Sequence, residues 1–151
     1  MPFTNQRPHS LFDHNPLQDG EVDVDWILIF EDTEAEYWWS RILKPGFQHV
    51  TAVRWDGYNW VMVAPLLGVM RVEILPFRYH ERPETWWISH GKTKPTFMHV
   101  KRRTNPRKVR NPLVWGPVTC VETIKSLLGV GKFAIFTPYQ LYRHLKGDDH
   151  G

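Results

Sequence analysis

The stretch FQHVTAVRWDGYNWVMVAP, residues 47–65, constrains the fold of this chain more than any other. Two runs rich in β-branched and aromatic residues flank Asp56-Gly57, and an Asp-Gly pair between such runs is the strongest short-range signal for a β-hairpin. GVMRVEIL (68–75) adds a third strand, which Pro76 ends. DWILIFED (25–32) reads as a buried strand from its short apolar run and acidic ends. Sheet and hairpin together predict an antiparallel core built on residues 47–75.

Helices are expected around it. TEAEYWWSRIL (33–43) has helical spacing, with Tyr37, Trp38 and Ile42 on one side and Thr33 as a cap, and KPG stops it. A second helix spans roughly 119–128 and is stopped by Gly129 and Gly131. TPYQLYRHL is a third, with Thr137 as cap and Pro138 in the first helical position. KFAIFT (132–137) reads as a short strand, and residues 77–113 as a long excursion with one short strand at TFMHVKR. Residues 1–20 read as an N-terminal arm, 21–146 as one α+β domain, and 147–151 as a frayed tail.

The longest apolar run, VMVAPLLGVM, has 10 residues, includes a Pro and a Gly, and falls short of the roughly 18–20 that span a bilayer. The first residues, MPFTNQRPHSLFDHNP, lack the apolar core of a secretory signal. A soluble protein without membrane insertion is therefore expected. A single cysteine excludes an internal disulfide framework.

That cysteine is placed for chemistry. In Thr119-Cys120-Val121-Glu122 the spacing is that of a capping box, which makes Cys120 the first residue of its helix. Positive partial charge at a helix start favours a thiolate over a thiol. A small apolar cysteine beside Val121, Ile124, Leu127 and Leu128 is also an ordinary packing residue, so a base must be found to meet it. His49 opens the first strand of the hairpin amid apolar sequence, and a neutral imidazole can take a thiol's proton. His9, His14 and His150 fall in the ends of the chain, and His80, His90 and His99 in the middle excursion. His144 lies in the last turn of the third helix, where an imidazolium is favoured.

PGFQHVTAVRWDGYNWVMVAP followed by TCVETIKSLLGV resembles the circularly permuted papain-like proteins of the NlpC/P60 superfamily, in the order of the lecithin retinol acyltransferase-like branch. The likeness covers about residues 45–76 and 114–145. With TPYQLYRHL, the combination also resembles small bacteriophage-encoded proteins. The resemblance implies an antiparallel sheet carrying a nucleophile helix, with Cys120 as nucleophile and His49 as general base. It implies a thiol hydrolase of the peptidase or amidase type, acting on a peptide or on peptidoglycan, in a virion or in the host cytoplasm. The family also carries a third polar residue that orients the imidazole. A two-residue turn would set Ala64 opposite His49, and a one-residue slip would set Val63 there; Asn59 and Glu73 are the nearest polar alternatives.

Charge is segregated along the chain. Residues 13–36 hold nine acids and no base, whereas 92–110 hold eight bases and no acid. Lys101, Arg102, Arg103, Arg107, Lys108 and Arg110 could track a nucleic-acid backbone, contact another virion protein, or face the acidic run. A solvated loop or a patch matched to the acidic run is favoured over nucleic acid, because a nucleic-acid-binding domain rarely carries nine acids in one run. No metal-ligand spacing, calcium loop, dinucleotide fingerprint or phosphate-binding loop is present, so no cofactor is expected. A non-catalytic virion or assembly protein that retains the fold is the alternative to the hydrolase.

Overall fold

The computed structural model describes residues 22–33, 38–66, 69–76, 81–91, 94–104 and 119–147. The expected N-terminal arm and most of the expected tail lie outside these residues, as do Arg107, Lys108 and Arg110. The described chain is α+β. Five strands, β1 (Val22–Glu31), β2 (His49–Trp55), β3 (Trp60–Leu66), β4 (Val69–Ile74) and β5 (Thr96–Thr104), form one sheet in the order β4-β3-β2-β1-β5. Every neighbouring pair is antiparallel. Three helices accompany it: α1 (Pro83–His90), α2 (Cys120–Leu128) and α3 (Pro138–Lys146).

Strand alternation gives the sheet two apolar faces. Trp26, Leu28, Phe30, Val50, Ala52, Val63 and Val100 pack on one side against Val121, Ile124 and Leu128 of α2 and Leu141 of α3. Ile27, Ile29, Val53 and Met62 pack on the other side around Trp87 of α1. A sheet buried on both faces explains why DWILIFED reads as a continuous apolar run rather than an alternating one.

The hairpin forms where expected, but its loop is longer than two residues. Trp55 pairs with Trp60, so Asp56 to Asn59 make the turn. The Asp56 carboxylate accepts from the N–H groups of Tyr58 and Asn59, each at 2.7 Å, and Gly57 supplies a φ of 105°. The side chain of Asp56 thus selects a four-residue loop over the tighter one.

Three other expectations change. In 33–43 the described helix is a 3-10 turn, Trp38–Ile42, in which Trp38 and Ile42 are both exposed rather than packed on one apolar side. KFAIFT forms no strand; Lys125 donates to the carbonyl of Ile135 instead. The excursion contains a helix, α1, and its expected short strand is a nine-residue one that forms the sheet edge beside β1. This last pairing also brings parts of the two charged runs side by side. Asp25 lies opposite Lys101, Val24 opposite Arg102 and Asp23 opposite Arg103, and the Asp25 carboxylate approaches the Lys101 ammonium at 3.7 Å.

Candidate active site

Thr119 sets the start of α2. Its backbone is extended, and its hydroxyl accepts from the N–H of Glu122 at 3.3 Å. The reciprocal half of the capping box is absent, because the Glu122 carboxylate turns to the ammonium of Lys125 at 2.7 Å. Both side chains of that ion pair are buried, and Lys125 also donates to the carbonyl of Ile135. Gly129, in the left-handed region at φ 65°, closes the helix through N–H bonds to the carbonyls of Lys125 and Ser126. A short helix held at both ends and on one buried face gives its first residue a fixed place.

That residue is Cys120. The backbone N–H of Val50 lies near enough to its sulfur to favour the charged form, as do, less strongly, those of Val121 and of Cys120 itself. The β2–β3 ladder ends short of Val50. Asp56 donates to the carbonyl of Asn59, so the even-numbered amides of β2 point toward β3. The last β2–β3 pair is Ala52 with Val63. Continuing that register brings Val50 level with Pro65, which has no N–H to give the Val50 carbonyl. The β2–β3 pairing stops before this point, and the Val50 N–H lies beside the sulfur of Cys120.

His49 is the residue before Val50, half-buried at the start of the same strand and opposite Glu31. Burial holds its imidazole below its ordinary pKa of 6.5. The thiol moves the other way: burial pushes it above its ordinary 9.0, and the three surrounding N–H groups offset this only in part. The helix start therefore does not make Cys120 a resting thiolate, contrary to the expectation from its position alone. At neutral pH both groups are uncharged, and no hydrogen bond joins the sulfur to the imidazole.

Neither polar candidate for orienting the imidazole is near it. Asn59 lies in the turn at the far end of β2, roughly 20 Å along a seven-residue strand at about 3.3 Å per residue. Glu73 pairs with Met62, two strands away, and binds Arg71 at 2.7 Å. The four-residue loop also displaces Ala64 and Val63 from the place opposite His49; the continued register brings Leu66 there. Of the basic residues, Lys101 is exposed on β5, with Arg102 and Arg103 following it in the strand.

Sequence reasoning did not find a second concavity, on the α1 side of the sheet. It has a volume of about 550 Å³ and is lined by Asp25, Trp55, Trp60, Arg82, Glu84 and His99, among others. His99 Nε2 meets Glu84 Oε1 at 2.9 Å, which ties β5 to α1. The signal available was slight: His99 alternates with Phe97 and Lys101 on one side of TFMHVKR. Among the described residues no group of three or more His, Cys, Asp or Glu could hold a metal ion. Among them, too, no helix is long and apolar enough to cross a membrane. Compared with protein-family models, curated proteins and solved structures, the chain matches none.

Proposed function

We propose that this protein is a thiol hydrolase acting on amide or ester bonds, with Cys120 as nucleophile and His49 as general base. One observation carries the reading: the sulfur of Cys120 lies beside the backbone N–H of Val50, the residue after His49 in the chain. Strand alternation turns the His49 side chain to the α1 face, with Ile29 and Val53, whereas the sulfur lies with Val50 on the α2 face. In this reading the imidazole therefore reaches the thiol around the end of β2, where the β2–β3 ladder has stopped. A thiol and an imidazole that rest uncharged suit general-base catalysis rather than a preformed ion pair. In the first step the sulfur attacks the carbonyl carbon while the imidazole takes the thiol proton. The N–H groups of Cys120 and Val121 at the start of α2 are the donors this reading assigns to the developing oxyanion. The imidazolium then protonates the leaving amine or alcohol, leaving a thioester on Cys120. Water, deprotonated by the neutral imidazole, cleaves the thioester and restores the thiol.

The resemblance to permuted papain-like proteins points to a peptide or peptidoglycan substrate, and to a virion-associated or host-cytoplasmic place for a phage-encoded protein. The non-catalytic alternative draws on a specific observation: an apolar position, Leu66, stands level with His49 where an orienting residue would be. Mass spectrometry after incubation with an activated ester tests the choice. The hydrolase reading expects an acyl adduct on Cys120 that turns over in the wild type. It expects slowing by about 10²–10⁴-fold in His49→Ala. An adduct that forms and decays equally fast in both proteins removes His49 from the mechanism, and a thiol that acylates only after denaturation removes the hydrolase.

A further inference from the structure

The outer edge of β4 carries a pattern that β3 does not use. Met70, Val72 and Ile74 share the α2 side of the sheet, opposite Pro65, Val63 and Val61, yet they are 53%, 59% and 68% exposed. Such a strand, apolar on one side and unpaired along its edge among the described residues, is a template for another strand. On its other side stand Arg71 and Glu73, which pair with each other at 2.7 Å.

We propose that β4 pairs antiparallel with the β4 of a second copy of this chain, about a two-fold axis through Val72. Charge selects this register from the alternatives. An antiparallel pairing that keeps the apolar residues of both copies on one face must place residues of like parity opposite each other. Centring the axis on Arg71 sets two arginines face to face, and centring it on Glu73 sets two glutamates face to face. Centring it on Val72 sets Arg71 opposite the partner's Glu73 and Glu73 opposite the partner's Arg71. Met70 then faces the partner's Ile74, and Val72 its own copy. The contact is self-complementary, as a closed two-fold interface requires, and it joins two five-stranded sheets into one of ten.

Sedimentation velocity on the wild type and on two charge variants tests this register. The wild type is expected to dimerise reversibly. Glu73→Arg and Arg71→Glu each place like charges opposite one another twice, and each should weaken the dimer at least about tenfold. Mixing the two variants should restore dimers, because every opposed pair is then complementary. In a Cys120→Ser background, Val72→Cys should oxidise to a covalent dimer, since directly opposed Cα atoms at about 4.5–5.5 Å fall within disulfide range. Met70→Cys, opposed by Ile74, should not. A wild type that stays monomeric up to about 100 μM overturns the proposal. So do variants that dimerise like the wild type, or a mixture no better associated than its components.

Discussion

The sulfur of Cys120 lies beside the backbone N–H of Val50, the residue that follows His49 in β2. The β2–β3 ladder ends at Ala52 and Val63, short of Val50, and Thr119 fixes the start of α2. Together these place the thiol, and burial then sets its charge.

The first prediction concerns that charge. Because burial outweighs the surrounding amides, alkylation of native Cys120 should titrate above the ordinary thiol value of 9.0. Each unit of upward shift costs about tenfold in thiolate at neutral pH. Alkylation at pH 7.5 should therefore be slower than for a free cysteine and rise steeply beyond pH 9. His49→Ala should leave the resting titration unchanged while slowing acyl transfer. A thiol that titrates near 6, and moves up when His49 is removed, would show a resting ion pair and refute the uncharged pair described above.

The same two groups shape stability against pH. His49 has a lowered pKa in the fold, so below 6.5 the unfolded chain takes up a proton that the folded chain resists. Its contribution is whole above 6.5 and is lost as pH falls through the lowered value. Cys120 has a raised pKa, so its contribution is whole below 9.0 and is lost as pH rises through the raised value. Urea unfolding should show a plateau between about these limits. His49→Asn should flatten the acid limb, and Cys120→Ala the alkaline one. An acid limb untouched in His49→Asn would mean that other groups carry it.

Thr119→Ala removes the acceptor for the Glu122 N–H at the start of α2. The expected loss is about 1 kcal/mol by denaturant unfolding, with Thr119→Ser close to wild type. Because the reciprocal Glu122 contact is not made, Glu122 should give no capping effect of its own. A loss in Thr119→Ala no larger than for an exposed surface change would mean that α2 is held by packing alone.

How much of this was legible follows from what each residue answers to. Asp56-Gly57 marks its hairpin through local backbone preference, so the turn was readable. Its length was not, because the Asp56 carboxylate bonds two amides that only the folded loop presents. The strand beginning at Thr96 was readable as short; it runs through Lys101, Arg102 and Arg103 because Asp25, Val24 and Asp23 lie opposite. The helix PETWWISH buries Pro83 and Trp87 and leaves most of its other residues exposed, so it offers no apolar period to read. At the site, Thr119 and Cys120 announce a helix start through their own spacing. The meeting with Val50 depends on the β2–β3 register, which neither segment contains alone.

The last prediction concerns Lys125 and Glu122, one turn inside the helix that carries the thiol. The Lys125 ammonium is 2% exposed and bonds the Glu122 carboxylate at 2.7 Å and the Ile135 carbonyl at 3.2 Å. The second carboxylate oxygen of Glu122 is buried without a hydrogen-bond partner. Two charges removed from water gain little net stability from each other, but either one left alone is expensive. Lys125→Met should therefore cost about 3–5 kcal/mol by urea unfolding, since it strands the carboxylate. Adding Glu122→Leu to Lys125→Met should recover most of that loss, because the leftover charge is gone and the site is apolar. The Ile135 carbonyl remains unpaired in the double variant, so recovery should stop about 1 kcal/mol or more short of wild type. If Lys125→Met alone costs less than a surface substitution, the ammonium has another route to solvent. If the double variant is no better than the single one, the Ile135 contact rather than the Glu122 charge fixes this end of the helix.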